Sequence, residues 1–98
     1  MKKKSILPMN FRMLHFFSTI KEATVDSLMH ELKSEYGTER QFSKKNISNS
    51  LFSMRENGLI EDSKVELDNS GELCIYYRIN DEGTRLLSKY LPREWKTA

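Results

Sequence analysis

The sequence predicts an α+β domain that is mostly α: three helices, a two-stranded β-hairpin and a C-terminal helix. Three observations carry this expectation. Apolar residues recur at helical spacing in successive stretches up to residue 58. Two runs alternate apolar and polar residues on either side of Asp68-Asn69-Ser70-Gly71-Glu72, the pattern of an antiparallel hairpin. Asn80-Asp81-Glu82 then opens a last helix, with a capping amide and two acids at the positive end of the helix dipole.

The first helix is expected from Met9 to Lys21. Phe11, Met13, Leu14, Phe16, Phe17 and Ile20 cover most of its circumference, so it needs cover on most sides. Either a partner subunit or the C-terminal helix supplies that cover. The second helix is capped by Thr24 and ends at Gly37. Its apolar positions are Val25, Leu28, Met29, Leu32 and Tyr36. The third is capped by Ser43 and ends at Gly58. Ile47, Leu51 and Met54 lie within ~60° on its wheel and form the buried stripe. Lys45, Ser48, Asn49 and Phe52 therefore project outward. Leu59 and Ile60 return the chain to the core. In the hairpin, Val65 and Leu67 alternate with Lys64 and Glu66, and Leu73, Ile75, Tyr77 and Ile79 with Cys74, Tyr76 and Arg78. Leu86, Leu87, Tyr90 and Leu91 mark the last helix, which stops at Pro92. The expected organisation is a basic arm over 1–8, one domain over 9–91 and a short tail over 92–98.

Ninety-eight residues make one domain, and 38% hydrophobic with 31% charged residues is the composition of a folded chain. No apolar run approaches the ~20 residues that span a bilayer. Pro8-Met9-Asn10 breaks the apolar stretch after Lys2–Lys4 too early for a secretory signal. The single cysteine, Cys74, cannot form an internal disulfide, which fits a cytoplasmic location. Charge is unevenly spread. Up to residue 60 there are ten lysines and arginines against six acids; beyond it, six against eight. Between Arg40 and Arg55 stand Arg40, Lys44, Lys45 and Arg55 with no acid. Such a segment suits phosphate, and equally describes a solvated helix face.

The order helix, helix, helix, hairpin, helix resembles the winged helix-turn-helix domains of the MarR and PadR regulator groups. Three stretches carry the likeness: Val25–Leu32 for the second helix, Ile47–Ile60 for the recognition helix with its closing Gly58-Leu59-Ile60, and Tyr77–Leu87 for the end of the wing and the helix after it. The resemblance implies a recognition helix in the major groove and a wing near the backbone or minor groove. The sequence departs from those groups in three ways. Asp68 and Glu72 sit at the wing tip where a basic residue is usual, Phe52 takes an outward position that is usually polar, and no long C-terminal dimerisation helix follows.

The candidate DNA-binding residues are Arg40, Lys44, Lys45, Asn46, Ser48, Asn49, Lys64, Asn69 and Arg78. Lys44 and Lys45 stand in the first turn of the third helix, where cations oppose the dipole; this favours a role in contacting phosphates or guanine edges. Asn49 and Ser48 are one turn on, and an asparagine can pair with adenine through two hydrogen bonds. Asn46 lies nearer the side, and Arg40 in the preceding turn can anchor a phosphate. Lys64 and Arg78 share the polar face of the hairpin and either hold phosphate or pair with Glu66 or Glu72. Asn69 sits at the tip, where turn chemistry accounts for it as well as minor-groove contact does. Phe52 and Tyr76 are expected to pack on each other or on a partner protein.

His15 and His30 lie on separate helices without a matching ligand cluster, so no metal is expected, and Cys74 is read as a structural thiol. Phosphate-binding glycine loops, nucleophile elbows and paired catalytic carboxylates are absent, so neither enzyme activity nor a cofactor is expected. The expected function is sequence-specific binding of double-stranded DNA by a small homodimeric transcriptional regulator, without membrane contact or a small-molecule effector. An accessory or architectural factor at a plasmid or phage origin, acting in transfer (conjugation), replication or recombination, fits the same residues. So does a winged-helix protein-interaction module.

Overall fold

The computed structural model describes residues 7–95, so residues 1–6 of the basic arm lie outside the described residues. The elements follow as α1 (Met9–Ser18), α2 (Val25–Tyr36), α3 (Lys44–Glu56), β1 (Ile60–Leu67), β2 (Leu73–Ile79), α4 (Asp81–Tyr90) and a 3-10 turn over Arg93–Trp95.

α1 stops earlier than its apolar pattern. The hydroxyls of Ser18 and Thr19 donate to the carbonyls of His15 and Phe16, closing the helix from its own side chains. Beyond it the backbone must be extended, because Ala23 exchanges two hydrogen bonds with Tyr77 of β2, at 3.0 and 2.8 Å. This bridge lays a short third segment beside the hairpin. Met13, Leu14 and Phe17 are buried within one chain, Phe11 and Phe16 pack against the same core, and only Ile20 is exposed. The crowding of apolar residues on α1 is thus met by elements of the same chain, α2, α4 and β2 among them. It is no longer an argument for a partner subunit.

Arg12 also sits on this helix and is buried. Its guanidinium is held by Glu35 at 3.1 Å and Glu31 at 3.2 Å on α2, and lies 5.4 Å from the centre of the Trp95 ring. Burying a cation is costly unless it is paired and hydrogen-bonded, and here two carboxylates and an aromatic face provide for it. Trp95, in the stretch set apart as a tail, is itself only 9% exposed and meets His15 edge-on at 5.0 Å.

α2 and α3 form the helix-turn-helix. Thr24 and Ser43 cap them, their hydroxyls accepting from the N–H groups of Ser27 and Asn46. Leu28, Leu32 and Tyr36 of α2 face Ile47, Leu51 and Met54 of α3 in one core. α3 ends at Asn57, and Gly58 follows at φ 78°, a conformation that costs glycine nothing. The turn brings Leu59 and Ile60 inward.

The hairpin is antiparallel, with Val65 opposite Ile75 and Leu67 opposite Leu73. β1 begins at Ile60, before the alternating run. A bulge between Asp62 and Lys64 leaves Ser63 unpaired and hides the strand behind three polar residues. Asn80 ties the hairpin to α3 and α4: its side chain donates to the Gly58 carbonyl at 2.7 Å and accepts from the Gly83 N–H at 2.9 Å. Gly83 has a reason of its own. A Cβ there would stand 2.3 Å from the Leu59 carbonyl oxygen, so only glycine lets α4 start this close to the β1 entrance.

Candidate nucleic-acid interface

α3 presents its two sides as its periodicity requires. Ile47 and Leu51 are 0% and 1% exposed, while Lys44, Lys45, Asn46, Ser48, Asn49 and Phe52 are open to solvent. Lys45, Ser48, Asn49 and Phe52 form one stripe, opposite the core contact.

The candidate cations differ in how available they are. Lys44 is ion-paired with Asp26 at 3.4 Å, between two well-exposed side chains. Lys64 is held by Glu22 at 3.0 Å and Glu66 at 3.9 Å, and lies 4.6 Å from the centre of the Tyr76 ring. The hydrogen bond to Glu22 raises the Lys64 pKa, and bonds from Ser63 and then Lys64 lower that of Glu22. Arg78 pairs with Glu61 directly across the sheet at 3.5 Å. The hairpin cations therefore do pair with carboxylates, but mainly with Glu22 and Glu61 rather than with the tip acid Glu72. Among the described residues, no carboxylate pairs with Lys45 or Arg40.

Asn46 is partly committed to structure: its amide donates to the Gln41 carbonyl at 3.3 Å and its N–H to Ser43. Ser48 and Asn49 have no such duty in the turn. Asn69 is exposed at the wing tip. Its neighbour Asp68 builds that tip. One Asp68 oxygen accepts from the Ser70 N–H at 2.9 Å, the Ser70 hydroxyl at 2.8 Å and the Glu72 N–H at 2.9 Å. These bonds, the hydroxyl first, hold its carboxyl below the usual aspartate range. The acid at the tip is thus explained by the turn it closes.

The two faces of the hairpin separate the candidates. Register and alternation place Val65, Leu67, Leu73, Ile75 and Tyr77 on one face, and Lys64, Glu66, Cys74, Tyr76 and Arg78 on the other. The apolar face is buried near Ile60 and Ile79 but overhangs the core toward the tip, where Leu67 and Leu73 are 68% and 72% exposed. A groove of about 490 Å³ lies between this hairpin and α3, with Asn49, Phe52, Ile75, Asp68 and Glu72 in its walls. Phe52 and Tyr76 do not pack on each other. Phe52 lies in the groove under the Arg55 guanidinium, 5.8 Å from its ring centre, and Tyr76 takes Lys64 on the other face. The structure thus brings Lys45, Ser48 and Asn49 together with Asn46 beside them on the same helix, leaves Arg40 exposed in the turn before α3, and sets Lys64 and Arg78 on a separate surface.

Among the described residues no helix is long and apolar enough to cross a membrane, and no group of three or more histidine, cysteine or acidic side chains is placed to hold a metal ion.

No protein-family model matches the chain, and no curated protein matches it. Solved structures do. A PadR-like transcriptional regulator from Bacillus cereus superposes with a TM-score of 0.65 at 25% identity, over 83% of this chain and 75% of that one. A transcriptional regulator from Thermoplasma acidophilum gives 0.66 at 20% identity, over 85% and 76%. Bacillus subtilis PadR, solved in complex with operator DNA, gives 0.65 at 18% identity over 88% of this chain, which spans about half, 49%, of that one. Helix order, two-stranded wing and superposition agree: this chain is a winged-helix domain of the kind found in PadR-like regulators.

Proposed function

We propose that this chain binds double-stranded DNA sequence-specifically as a small homodimeric transcriptional regulator, with α3 as its reading element. The observation that carries the proposal is the outward stripe of α3. It holds a lysine that no carboxylate among the described residues pairs, with a serine and an asparagine one turn on, on a helix locked in orientation by Ile47, Leu51 and Met54. Lys45 supplies a charge to phosphate or guanine, and Asn49 a two-point donor and acceptor for adenine. Arg40 and Lys44 add phosphate contacts at the edge, Lys44 by exchanging Asp26 for DNA. The fold of a regulator solved on its operator supports this reading. The chain acts by binding, without catalysis.

The proposed dimer needs an apolar surface, and a cleft of about 410 Å³ lined by Leu7, Pro8, Phe11, Tyr90 and Pro92 offers one beside the ends of α1 and α4. Selection of bound duplexes from a random pool, followed by footprinting, tests the whole proposal. The expected result is a two-fold symmetric site with half-sites roughly 34–36 Å apart. Failure to retain any duplex overturns it. An 11.6 kDa monomer in sedimentation, bound one per site, overturns the dimer alone. A footprint at a plasmid or phage origin instead of a promoter would assign the accessory role.

A protein-interaction role is favoured by one observation, the exposed apolar face of the distal wing at Val65, Leu67, Leu73 and Ile75. Binding to duplex DNA without a salt dependence, or not at all, would favour it.

A further inference from the structure

We propose that the groove between α3 and the wing is a docking site for a basic, apolar segment of a partner protein, one that carries large apolar side chains flanked by lysine or arginine. The docked segment competes with DNA, a consequence that rests on the proposed DNA-binding function.

Two elements supply the apolar walls. Phe52 of α3 and Leu73 and Ile75 of β2 line the groove together. Val65 and Leu67 continue the same face of the hairpin, opposite Ile75 and Leu73 in the register. All five side chains are exposed. In the single chain they add little to stability, because apolar side chains stabilise by leaving water and these stay in it. A contiguous apolar surface of this kind marks a contact with another molecule.

Charge decides which molecule. Among the described residues the groove walls hold three acids, Asp26, Asp68 and Glu72, against one lysine, Lys44. Lys44 is ion-paired with Asp26, and no cation among the described residues forms an ion pair with Asp68 or Glu72. The hydrogen bonds that close the tip fall on one Asp68 oxygen, so the other is available to a cation. Duplex DNA does not suit these walls: its phosphates meet the acids, and the leucines stay wet. An anionic membrane surface is repelled in the same way. A second copy packed face to face about a two-fold axis would set Asp68 and Glu72 against their own counterparts. A polypeptide with apolar side chains for Phe52, Leu67, Leu73 and Ile75, and with lysine or arginine for Asp68 and Glu72, matches both features at once. The cleft on the other side of α3, beside Pro8, Met9 and Asn10, has no acid in its walls, so this chemistry belongs to the wing side alone.

The location makes the docking regulatory. Lys44, Ser48 and Asn49 line the same groove. A segment seated there covers residues proposed to contact DNA, so partner and duplex exclude each other.

The test selects from a displayed library of random peptides on the full chain, then titrates the enriched peptide in synthetic, fluorescent form. Enriched peptides should combine leucine or phenylalanine with lysine or arginine. Leu67→Ser with Leu73→Ser should weaken peptide binding about tenfold or more, and Asp68→Asn with Glu72→Gln should weaken it severalfold and flatten its salt dependence. All four side chains are exposed and asparagine can still close the tip, so melting temperatures should stay near the wild type. No enriched peptide, an enriched peptide without basic residues, or one that binds either double variant as tightly as the wild type overturns the proposal. A shift of the serine variant to a smaller species in sedimentation overturns it in favour of a second copy on this face. Competition is read by adding the peptide to the chain bound to a random-sequence duplex: displacement is expected, and simultaneous binding overturns the competition. A chain that binds peptide but no duplex keeps the docking site and loses the DNA-binding reading; duplex binding without any peptide does the reverse.

Discussion

α3 and the wing are the two parts of this fold suited to meet DNA; α3 pairs Lys44 with Asp26 and Arg55 with Asp62 but keeps one lysine in reserve, and the wing does not. On α3, Lys45 points outward with no carboxylate partner among the described residues, beside Ser48 and Asn49. On the wing, Lys64 and Arg78 pair with Glu22, Glu66 and Glu61, the tip is closed by an aspartate, and the face toward α3 exposes Val65, Leu67, Leu73 and Ile75. The difference teaches that a count of cations is a poor measure of phosphate affinity. An ion pair must be broken before its lysine can neutralise a phosphate, and the displaced carboxylate then stands beside the DNA.

Paired substitutions on α3 and the wing test this contrast. The largest difference is expected in stability. Ile47 is fully buried and sets the orientation of α3, so Ile47→Ala should cost about 2–5 kcal/mol in denaturant unfolding. Val65, although in a strand of the same fold, is 53% exposed, and Val65→Ala should cost well under ~1 kcal/mol. Comparable losses would mean that the distal wing face is covered in solution. Next comes specificity. Asn49→Ala should cost ~1–3 kcal/mol on a selected site and little on random DNA. Asn69→Ala should leave both unchanged; the reverse pattern would make the wing tip the reader.

A third comparison uses salt. Lys45→Ala should reduce the salt slope of binding by about one per protomer. Lys64→Ala should change it by a fraction of that, since Glu22 already holds the amine. Equal reductions would show that the Glu22 pair opens on DNA. A smaller effect is expected from the joint change Asp68→Asn and Glu72→Gln. Asparagine can still accept the turn hydrogen bonds, so the fold should persist while affinity for random duplex rises modestly. A sharp loss on a selected site would instead assign those acids to direct base contact. The smallest effect concerns pH. Glu22 and Asp68 both titrate below their ordinary values in the folded protein. The stability they contribute is complete above the unfolded carboxylate pKa and declines as pH falls through the lower folded value. Acid titration of the melting temperature should show a loss below about pH 4 that Glu22→Gln reduces.

Much of this was legible in the sequence because it is local. The caps at Thr24, Ser43 and Asn80, the three-residue core stripe of α3 and the alternation around Asp68–Glu72 each need only a short window of residues. The face that α3 turns outward follows from the same spacing, which is why the exposure of Lys45, Ser48 and Asn49 was legible. What escaped depends on partners distant in sequence. Nothing in the sequence around Arg12 marks it as buried; Glu31, Glu35 and Trp95 converge on it from elements 19 and more residues away. Glu22 gave no signal, yet it removes Lys64 from the list of available cations. The early end of α1 follows from a strand pairing between Ala23 and Tyr77 that no local pattern reveals.

The elements, their sequence along the chain and the direction each helix faces follow from amino-acid order, because periodicity, capping and turn chemistry act within a few residues. Tertiary structure decided which charges remain open and which apolar surfaces are covered. Those outcomes depend on groups that folding brings within a few ångströms of each other: Glu22 beside Lys64, Glu35 beside Arg12, and the anchored Leu7–Asn10 segment beside α3.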